Sequence, residues 1–109
     1  MPPTIPSISL DGVSVVPVAN VYFDGKCISH TITLTDGSRK SIGVILPASL
    51  TFQTDAPEIM ACVAGSCEYK LPNSDVWQVS EAGHSFCIPA KAKFEIRVTA
   101  PYHYICHFG

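Results

Sequence analysis

An all-β, single-domain fold of short antiparallel strands is predicted, on three observations. Turn signals recur along the whole length, at Asp11-Gly12, Asp24-Gly25, Asp36-Gly37, Ala64-Gly65, Pro72 to Asp75, Ala82-Gly83 and Pro89-Ala90. Between them lie segments of four to ten residues rich in Val, Ile, Thr, Phe and Tyr, the pattern of strands rather than helices. At 109 residues the chain can build one hydrophobic core but not two. Roughly ten short strands in one small domain point to a closed barrel or a two-sheet sandwich.

Taken in order, residues 1 to 20 form the one separable part. Pro2, Pro3, Pro6 and Pro17 suit an edge but not a central strand, so this stretch is expected to add one or two edge strands to the outside of a domain spanning 21–109. Further on, if Ala64-Gly65 is a two-residue hairpin turn, Cys62 and Cys67 face each other on neighbouring strands, within disulfide range or simply packed as a small pair. Lys93 to Thr99 alternates, with Phe94, Ile96 and Val98 on one face and Lys93, Glu95, Arg97 and Thr99 on the other, so one face is buried. Tyr102 to Phe108 alternates as well, with Tyr102, Tyr104, Cys106 and Phe108 together against His103, Ile105 and His107. Pattern alone leaves open which of those faces looks inward.

Composition narrows the function. Apolar residues make up 47% and charged residues 15%, as in a compact globule, and an apolar face able to form a dimer is consistent with that. Seven Lys plus Arg at a formal charge of -2 are too few for a nucleic-acid-binding stripe. The longest apolar runs, such as Val13 to Ala19 interrupted by Pro17, are too short to span a bilayer. The start Met-Pro-Pro-Thr carries neither a basic region nor an apolar segment of signal length, so a cytoplasmic protein is expected. Its five cysteines, odd in number and without a C-x2-C pair, then read as thiols.

Metal ligation has little support from spacing. His103 and His107 would lie ~13 Å apart on a strand and cannot share an ion, and His30 and His84 have no ligand-type neighbours at informative spacing. Phosphate has no Gly-rich loop to bind to, and the densest set of donors is Arg39, Lys40 and Ser41.

The stretch TFQTDAPEIMACVAG is nevertheless similar to the first motif of the cupin superfamily, G-x5-H-x-H-x3,4-E-x6-G: Glu58 is followed by six residues and Gly65, with Phe52 and Thr54 at the two His positions. The second motif, G-x5-P-x-G-x2-H, has its likeness in Gly83 to Phe94, with Pro89 in place and Phe94 where the His would stand. Three of four ligands are absent, and one carboxylate does not hold a divalent ion alone. The resemblance therefore implies a cupin-like antiparallel β-barrel of the jelly-roll type, without metal. The runs NVYFDGK, SRKSIGV, TFQTDAPEIM, WQVSEAG, FCIPAKAKF and YIC, over residues 20 to 108, resemble more closely the small single-domain cupins of the pyrimidine/purine nucleoside phosphorylase family.

That resemblance implies that nucleoside plus orthophosphate gives ribose 1-phosphate plus free base, on purines and pyrimidines alike, with no cofactor and with the homodimer usual among small cupins. Glu58 becomes the partner for the ribose hydroxyls and for developing positive charge, or else a carboxylate closing the turn after Pro57. Thr54, with Thr51 or Ser41, can donate to phosphate, and Arg39 is the cationic fork for it or a surface arginine. Phe52, Phe94 and Tyr104 can stack on the base or be core. Gln78 can bond the base edge or face solvent beside Trp77. Glu81, His84 and Tyr104 are the candidates for the acid that protonates the leaving base. The competing reading is a non-enzymatic module that binds a sugar or nucleotide.

Overall fold

The structure, a computed structural model, describes residues 9–108. Eleven strands follow in order: β1 (Ser14–Val15), β2 (Asn20–Tyr22), β3 (Cys27–Thr33), β4 (Arg39–Ile45), β5 (Ala48–Gln53), β6 (Glu58–Ala64), β7 (Ser66–Lys70), β8 (Gln78–Glu81), β9 (Ser85–Ile88), β10 (Lys93–Val98) and β11 (Tyr102–Phe108). A single 3-10 turn, Phe23–Gly25, joins β2 to β3. Of the expected N-terminal extension, residues 1–8 lie outside the described residues, and β1 pairs with β3 through Ser14↔Thr33 and Val15↔Ile32.

The strands form two antiparallel sheets. The larger runs β1-β3-β4-β11-β6-β9, with β2 also on β3, and the smaller runs β5-β10-β7-β8. Among the described residues they do not close into a barrel, which corrects that part of the expectation. From β4 onward every connection except β7 to β8 carries the chain from one sheet to the other, and the open edges are β1, β2 and β9 in the larger sheet and β5 and β8 in the smaller. Alternation in a sequence reports which side of a strand is buried, not which sheet it joins. The Ala64-Gly65 expectation is corrected too. This turn carries the chain from the larger sheet to the smaller one, so Cys62 and Cys67 are not opposed in one ladder, and both are buried free thiols. Gly65 adopts φ +81°, and a Cβ there would come within 2.5 Å of the Pro101 carbonyl oxygen, so only glycine fits the crossing.

The core lies between the sheets. Phe94, Ile96 and Val98 of β10 are buried, as the alternation predicts, and on β11 the inward face is that of Tyr102, Tyr104 and Cys106. Those positions meet Met60, Cys62, Ile45 and Cys27 from the larger sheet in one cluster. The polar groups in this core are partnered: the Ser80 and Tyr102 hydroxyls lie 3.2 Å apart, and Tyr104 Oη lies 3.4 Å from Cys27 Sγ. On the outer face of the smaller sheet, Arg97 bonds Glu68 at 3.1 Å and lies 3.9 Å over the Trp77 ring, and Lys70 pairs with Glu95 at 2.9 Å. The outer face of the larger sheet carries an apolar patch around Ile28, Ile42, Val44 and Ile105, interrupted by His30 and His103, and Val21 (60% exposed) and Ile59 (42%) are open to solvent.

Candidate functional site

At one end of the sandwich the sheets part around a cavity of about 380 Å³. Six of the residues singled out from the sequence line it: Ser41, Thr51, Phe52, Glu58, Phe94 and Tyr104. The strand register explains the convergence. In the larger sheet Ser41 of β4 is opposite Cys106 of β11, which is opposite Met60 of β6, while Phe108 is opposite Glu58. In the smaller sheet Phe52 of the edge strand β5 is opposite Phe94 of β10. Period two places these side chains on the inner faces, and the two sheets bring them together.

Glu58 stands half-buried at the start of β6, where the Cys106 thiol donates to its Oε1 at 3.4 Å. Burial pushes the Glu58 carboxyl above its ordinary range, the Asp55 charge adds to this, and the Cys106 bond works against it. The Cys106 thiol is itself pushed far up, by burial and then by the Glu58 charge, so it remains a protonated donor. Tyr104 crosses β4 at Gly43, its register partner, to reach Cys27. A Cβ on Gly43 would lie 2.8 Å from the Tyr104 hydroxyl and 2.7 Å from the Ile28 carbonyl oxygen, so the absent side chain makes room for that hydroxyl.

Aromatic rings form the opposite wall. Phe52 and Phe94 stack with centroids 5.4 Å apart, and Phe23 meets Phe52 edge-on at 5.1 Å. Tyr22 and Phe108 add two half-exposed rings at the mouth. Among the cavity residues that sequence reasoning missed are Tyr22, Phe23, Ser29, Asp55, Cys106 and Phe108. Cys106 and Phe108 were readable, because they share a strand face with Tyr104. Phe23 was not: it enters through two successive left-handed residues, Phe23 and Asp24 at φ 54° and 53°, which no periodicity announces.

Three expected site residues lie elsewhere. Thr54 is buried, donates its hydroxyl to the Pro89 carbonyl at 2.6 Å and accepts from the Ala92 amide at 3.1 Å, which ties down the turn leading into Phe94. Gln78 begins β8, exposed, and accepts from the Tyr69 hydroxyl at 3.3 Å. Arg39 is exposed at the start of β4, on the same strand face as Ser41 two residues on, and does not line the cavity. Of the candidate acids, Tyr104 lines the cavity, whereas Glu81 and His84 lie exposed at the β8–β9 turn.

The residues do not fit the metal that cupins commonly hold. Phe52 and Phe94 offer no donor, the Thr54 hydroxyl is already engaged, and among the described residues no group of three or more His, Cys, Asp or Glu could hold an ion. No helix among the described residues is long and apolar enough to cross a membrane.

Comparison with known proteins agrees with this architecture. The family profile described as pyrimidine/purine nucleoside phosphorylase matches residues 18–108. A protein of that name from Albidiferax ferrireducens is 67% identical over 100 residues, covering 92% of this chain and 95% of the relative. Another so named, from Ralstonia pickettii, is 63% identical over 101 residues, covering 93% and 96%. A crystal structure of a protein of unknown function (DUF1255) from Acinetobacter sp. ADP1 superposes with a TM-score of 0.91 at 41% identity, covering 93% of this chain and 98% of that one. The fold alone is shared with the Clostridium difficile EutQ protein, at a TM-score of 0.63 and 12% identity over 75% of this chain and 67% of that one.

Proposed function

The chain belongs to the pyrimidine/purine nucleoside phosphorylase family, and from that premise we propose that it cleaves nucleosides with inorganic phosphate to ribose 1-phosphate and free base, accepting purines and pyrimidines. One observation carries the reading: a half-buried carboxylate, Glu58, faces a stacked aromatic wall across a cavity of nucleoside size.

Phosphorolysis passes through an oxocarbenium-like ribose, so the site must hold the sugar, offset its developing positive charge and direct phosphate at the anomeric carbon. Glu58 takes the ribose hydroxyls and supplies the opposite charge, held in position by the Cys106 thiol. Phe52, Phe94 and Tyr104 give the base a stacking slot, which tolerates any ring because every base has a π-face. Phosphate approaches from the rim, met by Arg39 and by the Ser41 and Thr51 hydroxyls. Thr54 acts through the 89–92 turn that sets Phe94, and Gln78 would need that same end of the smaller sheet to shift before it met a base. No step draws on a metal, since the donor set to hold one is missing among the described residues.

The working form is a homodimer joined through the apolar outer face of the larger sheet, where Val21 and Ile59 are exposed. Within the N-terminal extension, β1 adds to the edge of that sheet and stands apart from the cavity. Five free thiols fit the reducing cytoplasm.

Purified protein incubated with uridine and with adenosine, with and without phosphate, and followed by chromatography, decides the reaction. Phosphate-dependent release of both bases is expected. Release without phosphate would make the protein a hydrolase, and binding without release would make it a carrier of nucleosides.

A further inference from the structure

The charge of the cavity is unusual for a site that must release a nucleobase. All seven Lys and Arg and all four His residues of the chain are among the described residues, and none lines the cavity, whereas two carboxylates, Glu58 and Asp55, do. Arg39 is exposed at the start of β4, outside the cavity. The rest of the wall is uncharged: rings on one side, with Phe52 stacked on Phe94, Phe23 edge-on to Phe52 and Tyr22 half exposed at the mouth, and neutral side chains such as Ser29, Ser41, Thr51 and Met60 elsewhere.

A neutral nucleoside sheds its base with an extra electron pair, as an anion unless a proton arrives. Two carboxylates beside it oppose that anion. Ring faces carry negative potential and attract cations, and aromatic cages closed by acidic side chains recognise positively charged nitrogen. The mouth also carries strain: Phe23 and Asp24 are held in the left-handed region, at φ 54° and 53°, a conformation a bulky residue keeps only where its surroundings impose it. Its result is the Phe23 ring set against Phe52.

Resting on the phosphorylase reading, we propose that the preferred substrates are nucleosides whose base carries a permanent positive charge, such as an N-alkylated purine or a pyridinium ring. The Phe23, Phe52 and Phe94 wall holds the charged ring, and Glu58 and Asp55 supply the counter-charge. The step then needs no acid. A phosphate oxygen forms the bond to the anomeric carbon, the glycosidic bond breaks, and its electron pair returns to the ring nitrogen, which leaves as a neutral base. Hydrogen phosphate becomes the sugar phosphate and keeps its proton, so charge balances.

Two measurements test this. The first is calorimetric binding of choline and of its neutral isostere 3,3-dimethylbutan-1-ol to the full chain, for which choline is expected to bind about tenfold tighter. Equal affinity, or tighter binding of the alcohol, overturns the proposal. The second compares kcat/KM for N7-methylguanosine and guanosine, with phosphate, in the wild type and in the Asp55→Asn and Glu58→Gln variants. The intrinsic lability of the alkylated bond is common to all three proteins, so the ratio of the two substrates isolates recognition. That ratio is expected to fall about tenfold in the Glu58→Gln protein and less in Asp55→Asn, the more exposed of the two, and an unchanged ratio in both overturns the proposal. Phosphorolysis of neither nucleoside refutes the parent reading instead, and the choline pair then still decides the charge preference.

Discussion

Burial pushes the Glu58 carboxyl above its usual range, with the Asp55 charge adding to it and the Cys106 thiol opposing it. Between the unfolded and folded pKa values the folded chain therefore holds more protons, so this residue's contribution to stability falls as pH rises through that window. At neutral pH the ionised group costs stability that its chemistry requires. Glu58→Gln is expected to raise the melting temperature slightly while lowering kcat/KM about 100-fold. The wild-type pH–rate profile should lose activity on the acid side at a higher pH than an ordinary carboxylate would, and the Gln variant should lack that limb. Thr54 gives the opposite kind of result. Thr54→Val leaves the Pro89 carbonyl and the Ala92 amide without their hydroxyl partner, which should cost about 1–3 kcal/mol in urea denaturation. At this scale the sequence was only partly legible: motif spacing located Glu58 and Phe52, but that the Thr54 hydroxyl is spent on a backbone turn depends on contacts from residues 35 and more positions away.

Strands were more legible than single side chains. β10 appears as its alternation predicts, with Phe94, Ile96 and Val98 inward. β11 alternates as well, but its faces mix polar and apolar groups, hydroxyls and a thiol on one and two imidazoles with Ile105 on the other, and the packing of the two sheets settles that Tyr104 and Cys106 look inward. Turns were legible as positions and not as connections. Ala64-Gly65 has the signature of a hairpin and is instead the crossing between sheets, because the sequence of a tight turn does not say whether the strands it joins bond to each other. Gly65→Ala is expected to cost about 2 kcal/mol or more, from the left-handed backbone and the 2.5 Å approach to the Pro101 carbonyl, as a lower midpoint in chemical denaturation. The same substitution at Gly37, where nothing lies within 4 Å of the place a methyl would occupy, should show the backbone cost without the collision.

For the molecule as a whole, the class of the fold followed from turn spacing and strand length, whereas the division into two open sheets did not, since sheet membership is fixed by pairings between distant segments. The apolar outer face of the larger sheet bears on assembly. Sedimentation equilibrium should return twice the chain mass, and Ile59→Lys, which puts a charge on that face beside the edge strand β9, should return the single chain with the cavity's activity largely kept.

The position of β11 has a consequence for how the protein comes to exist. It is the last of the eleven strands in chain order, yet it sits between β4 and β6 at the centre of the larger sheet and carries Tyr104, Cys106 and Phe108 into the cavity. While a growing chain still lacks it, β1, β3 and β4 on one side and β6 and β9 on the other have no ladder between them. Folding must therefore wait for synthesis to pass Phe108, and a nascent chain exposes open strand edges until then. Docking of β11, rather than any earlier pairing of hairpins, is the event that completes both the sheet and the site.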